Sequence, residues 1–98
     1  MTGMSVRWIV IKAMQSKYIV NMMEHLKTLR MSCSLTQEQF AVKLGITRQT
    51  ISVIEKKRGD LTWSLYLAMV LVFQQYDNSK ILMESFKIFD ANFIKDDL

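Results

Sequence analysis

Arg48, Gln49 and Thr50 stand in a row after Thr47, and the basic run Lys56-Lys57-Arg58 begins six residues beyond Thr50. A guanidinium, a carboxamide and a hydroxyl are hydrogen-bonding groups. Three successive cations complement a polyanion. This is chemistry of recognition rather than of bond breaking. His25 is the sole histidine and Cys33 the sole cysteine. No nucleophile–base spacing and no metal-ligand cluster accompanies them. Neither an enzyme activity nor a cofactor is expected, and His25 reads as a packing or surface residue.

The charge is placed unevenly. Residues 1–58 hold ten Lys/Arg against three Asp/Glu, a balance of +7, and residues 59–98 hold three against six, a balance of −3. A basic first part suggests a polyanionic partner. The single cysteine excludes an intramolecular disulfide and a Cys-rich zinc site, and reads as a reduced thiol of the cytosol. The run "WIVI" is cut short by Lys12, too early for a secretory signal. The apolar run Leu65 to Phe73 is nine residues long, against the ~20 needed to span a bilayer. A soluble, cytoplasmic protein without a membrane partner is the expectation.

The elements that must position the polar row can be read around it. The chain has 98 residues, half of them hydrophobic, with three glycines and no proline. That composition lacks the turn residues of an all-β fold and favours helices. Residues 1–20 are ambiguous: "SVRWIVIK" suits a short strand, "AMQSKYIV" a helix start, and the whole an N-terminal arm or a loose terminus. Asn21 with Glu24 resembles a capping pair. It would open a helix carrying Met22, Leu26 and Leu29 on one face and ending near Ser32–Ser34.

Thr36 with Gln39 predicts a second cap. The helix it opens turns Phe40, Ala41 and Leu44 inward and stops at Gly45. Thr47 caps a third helix, with Ile51 and Ile54 inward and Arg48, Gln49, Thr50, Ser52 and Val53 largely outside. Thr62 caps a fourth, from Trp63 to about Gln75. Its inner stripe is expected to be Trp63, Tyr66, Leu67, Val70 and Phe73. Its other face, Leu65, Ala68, Leu71 and Val72, is also apolar and needs a cover. The segment from Ser79 to Phe93, with Leu82, Phe86, Phe89 and Phe93 at helical spacing, is the local candidate, within one chain or across a dimer. The eight methionines read as core filler.

Two helices joined by a short turn can cross steeply only if their backbones approach closely. Ala41 supplies the small contact and Gly45 the reversal. The stretch "LRMSCSLTQEQFAVKLGITRQTISVIEKKRG" resembles the helix-turn-helix of the lambda-repressor-like, or XRE-type, DNA-binding domains of bacteria and phages. The resemblance covers about Met22 to Gln75. It implies an all-α, lambda-repressor-like bundle of about five helices plus an N-terminal arm. Residues 1–20 would be the arm or extension, 21–76 the DNA-binding domain, and 77–98 a C-terminal helix for packing or dimerisation.

The resemblance also implies roles. Gln37 would open the second helix on a phosphate. Thr47, Arg48, Gln49, Thr50 and Val53 would face the major groove. There Gln49 suits adenine N6/N7, Arg48 suits guanine O6/N7 or a phosphate, and Thr50 or Val53 suits a thymine methyl. Lys43, Lys56, Lys57 and Arg58 would hold phosphates. Arg30 and Glu55 would form a structural salt bridge. Ser34 stands where the family often has Gly, and "GDLTW" replaces a proline after the basic loop.

The implied function is a sequence-specific transcriptional regulator, a dimeric repressor or autoregulator on a palindromic operator of a bacterial or phage operon. The alternative is the antitoxin of a toxin–antitoxin pair, holding a protein toxin through its apolar fourth helix and C-terminal helix.

Overall fold

The computed structural model describes residues 6–88, all helix and connecting turn with no strand among the described residues. Five helices follow one another: α1 Val6–Ser32, α2 Gln37–Leu44, α3 Arg48–Glu55, α4 Trp63–Phe73 and α5 Asp77–Ser85. α1 packs against α3, α4 and α5, and α2 packs against α3 and α4.

Helix starts follow side-chain chemistry. Thr36, Thr47 and Thr62 all adopt extended backbone, and each accepts a hydrogen bond from the backbone N–H three residues on. At Thr36 the bond is reciprocated: Gln39 Oε1 accepts from the Thr36 N–H at 2.9 Å, completing a capping box. Each such cap stabilises its helix by about 1 kcal/mol.

The stops are just as local. After α1, α2, α3 and α5 the chain turns through a left-handed residue: Gly45 at φ 72°, but also Ser34 at 58°, Lys57 at 60° and Lys87 at 55°. At Lys87 the bonds Lys87 N–H to Glu84 O (3.1 Å) and Ile88 N–H to Met83 O (3.0 Å) form a Schellman motif. Ser34 and Lys57 head the same pair of bonds. Three of these four turns thus place a side chain where glycine fits without cost.

The core lies between α1 and the other four helices. Met22, Leu26 and Leu29 of α1 bury against Phe40, Ile51, Ile54, Tyr66, Met69, Phe73 and Met83. Burying each such side chain contributes roughly 1.5–3 kcal/mol. The rings of Phe40 and Phe73 stack at 5.1 Å and join α2 to α4. His25 stacks on Phe86 at 3.9 Å between ring centres and has a packing role. Ala41 is buried at the α2–α3 crossing, where the Ile46 N–H reaches the Ala41 carbonyl at 3.1 Å.

Four expectations need correction. The first helix does not open at Asn21, and no strand occupies residues 6–20: α1 runs unbroken from Val6. Neither glycine nor proline interrupts it, and Tyr18 buries beside Met22. The Asn21 side chain instead donates to the Lys87 carbonyl at 3.1 Å. On α4, Met69 rather than Leu67 completes the buried face, and Leu67 is exposed. α5, expected to run on toward Phe93, ends at Ser85, because Lys87 closes its Schellman turn; Phe89 and Phe93 lie outside the described residues. α5 packs against α1, and Leu71 on the outer face of α4 stays 66% exposed.

Candidate nucleic-acid interface

The short α3 is fastened on one side only. Ile51 and Ile54 are buried, whereas Arg48, Gln49 and Thr50 are exposed. Thr47 Oγ1 accepts from the Thr50 N–H at 3.2 Å and lies 2.9 Å from Thr50 Oγ1. The two hydroxyls are therefore partly occupied in holding the first turn. Arg48 and Gln49 carry no such constraint and project from that turn.

A shallow depression of about 300 Å³ runs along this side of α3, lined by Thr47, Gln49, Thr50, Val53, Gly59 and Asp60. The loop after α3 forms its far wall. A Cβ on Gly59 would stand 2.7 Å from Val53 Cγ1, so only glycine lets the loop lie this close to the helix. Val53 is consequently half-buried, as is Ser52, rather than largely outside. Asp60 is an acid among the polar wall residues, and no sequence pattern singles it out.

Lys56 and Arg58 are exposed on the same loop. Lys57 is engaged: its Nζ lies 2.9 Å from Glu24 Oε2, with both side chains about half exposed. The hydrogen bond from Lys57 and its charge hold the Glu24 carboxyl below the usual carboxylate range. Lys43 stands elsewhere, at the rim of a separate depression with Leu71, Val72, Gln75 and Tyr76.

Behind α3 lies a fixed polar cluster. Arg30 Nε donates to Glu55 Oε2 at 2.7 Å and a second guanidinium N–H to Glu55 Oε1 at 3.1 Å. A third donates to the Leu35 carbonyl at 2.8 Å. The Gln37 amide donates to Glu55 Oε1 at 3.0 Å, so its side chain faces the protein's own carboxylate. One carboxylate thus gathers α1, the start of α2 and the end of α3. Every buried side-chain nitrogen and oxygen among the described residues has a partner.

The arrangement is a recessed support with one polar helix end raised on it. A helix-turn-helix family model matches residues 26–62, which span the end of α1, all of α2 and α3, and the loop to Thr62. These residues form a helix-turn-helix domain of the XRE, lambda-repressor-like type. In this domain α2 and α3 are the two helices of the motif and Gly45 makes the turn. Such domains belong to a DNA-binding regulatory family, and the match supports a DNA-binding transcriptional regulator. No significant match was found among curated proteins or among solved structures. No helix among the described residues is long and apolar enough to cross a membrane.

Glu24, Gly59 and Asp60 are the site residues that sequence reasoning missed. Glu24 had one visible signal: it is one of only three acids in residues 1–58.

Proposed function

We propose that the protein is a sequence-specific regulator of transcription that inserts the first turn of α3 into the major groove. The observation that carries this reading is the exposure of Arg48, Gln49 and Thr50 beside the basic loop, on a helix whose opposite face is buried. Gln49 suits a bidentate pair with adenine, and Arg48 suits guanine. Lys56 and Arg58 suit phosphates, which set position rather than sequence. Asp60 adds an acceptor suited to cytosine N4–H.

A helix of this length reads only a few base pairs. A two-fold dimer on a palindrome supplies the rest, with half-sites ~34–36 Å apart so that each α3 meets its own major groove. Repression or autoregulation follows if the site overlaps a promoter. Selection of bound duplexes from a random pool, at stated salt, tests binding, symmetry and spacing together. Recovery of a two-fold motif with half-sites one turn apart supports the dimer; a pool with no enriched sequence refutes base reading.

Leu67 and Leu71, exposed on α4, favour a second reading, in which the chain is an antitoxin and a protein toxin covers that face. A stoichiometric second polypeptide that is released by Leu71→Glu would support it. A self-contained homodimer would refute it.

A further inference from the structure

The Lys57–Glu24 contact joins the loop after α3 to α1, across 33 residues of sequence. Two backbone bonds fix its geometry: Lys57 N–H to Ile54 O at 2.9 Å and Arg58 N–H to Val53 O at 3.1 Å. With Lys57 held at φ 60°, its side chain leaves the loop toward α1, where Glu24 receives it. Lys56 and Arg58, on either side, are exposed and form no ion pair among the described residues. Of the three adjacent cations, the middle one is matched by an acid of the same chain.

We propose that Glu24 occupies Lys57 as an internal substitute for a DNA phosphate, so that seating Lys57 on DNA requires exchange of one anion for another, and Glu24 thereby lowers and tunes affinity for DNA. The proposal rests on the DNA-binding reading above.

The physics is a swap of equals. A free lysine that reaches a phosphate releases condensed counterions and adds ~0.9 to the salt slope of binding. Here the ammonium starts on a carboxylate. Moving it to phosphate uncovers Glu24 close to the polyanion, where the bare carboxylate either attracts a cation or repels the duplex. Both outcomes subtract from what Lys57 would otherwise contribute. The pair is half exposed, so its strength is that of a surface ion pair, weak enough to open on binding. A buried pair such as Arg30–Glu55 could not serve this purpose, since its rupture is too costly.

The test is a double-mutant cycle of full-length chains on the selected duplex, read as Kd against salt: wild type, Glu24→Gln, Lys57→Gln and the double variant. Glu24→Gln is expected to tighten binding roughly two- to five-fold, the span of a surface ion pair, and to steepen the salt slope by up to ~0.9. In the Lys57→Gln background the same change is expected to have little effect. If Glu24→Gln tightens binding equally in both backgrounds, Glu24 acts by general repulsion and the exchange is refuted. If Glu24→Gln leaves wild-type affinity and slope unchanged, Lys57 does not move to phosphate and the proposal fails while the DNA-binding reading stands. If no variant binds any duplex, both fall. Melting curves of all four chains, expected to agree closely because the pair is on the surface, separate binding effects from loss of fold.

Discussion

Arg30 and Glu55 face each other fork to fork, with guanidinium–carboxylate distances of 2.7 and 3.1 Å, and their side chains are only 10% and 5% exposed. The pair fixes α3 to α1 from behind.

Removing one partner leaves the other charge buried without compensation. Arg30→Ala and Glu55→Ala should each lower stability by about 3–5 kcal/mol, and the double variant by less than the sum. Gln37→Ala, which removes a single bond to the same carboxylate, should cost about 1.5–3 kcal/mol at most. Denaturant unfolding of the four chains checks this. Unchanged midpoints for both single alanine variants would remove the structural role.

Ser34 ends α1 in the left-handed region at φ 58°. Ser34→Gly should therefore stabilise the chain by about 0.5–1 kcal/mol, because glycine adopts this backbone without steric cost. Gly45→Ala should destabilise by about 1 kcal/mol for the converse reason, since Gly45 sits at φ 72° and no neighbour lies within 4 Å of an added Cβ. Thermal melts of the two variants should move in opposite directions.

Gly59 and Val53 are coupled by contact rather than by conformation. Gly59→Ala puts a Cβ 2.7 Å from Val53 Cγ1, and the β-branched valine has little rotamer freedom with which to yield. The cost should be about 1–3 kcal/mol. Val53→Ala in the same chain should recover much of it. A double-mutant cycle in urea reads the coupling. Purely additive losses would show that the loop does not press on α3.

Tyr66 ties the end of the described chain to α4: its buried hydroxyl donates to the Ile88 carbonyl. Tyr66→Phe should cost about 1–3 kcal/mol by leaving that carbonyl unpaired. Burial, and then the nearby Tyr18, push the phenol above its ordinary value of 10.0. Above that pH the unfolded chain loses the proton before the folded chain does, so stability falls as pH rises. The fall should be shallower in Tyr66→Phe. Melting points of both chains from pH 9 to 11 check the difference.

Much of the local architecture is legible in the sequence because it is local chemistry. Thr36 with Gln39, Thr47, Thr62 and Gly45 announce their helix boundaries through bonds that span three or four residues. Long-range contacts leave no such mark. Asn21 and Glu24 look like a cap, yet one bonds the turn after α5 and the other bonds Lys57. The inner face of α4 is ambiguous because Leu65 to Phe73 is apolar all round, so periodicity cannot choose between Leu67 and Met69. Asp60 and Gly59 join the candidate site only through the path of a loop.

The role of Gln49 is open to the most direct test: equilibrium binding of wild type and Gln49→Ala to the selected duplex and to its single-base variants at fixed salt. Gln49→Ala is expected to lose about 1–3 kcal/mol on the selected duplex and to stop distinguishing bases at one position of each half-site. Binding of Gln49→Ala to every duplex with wild-type affinity would contradict the placement of α3 in the major groove.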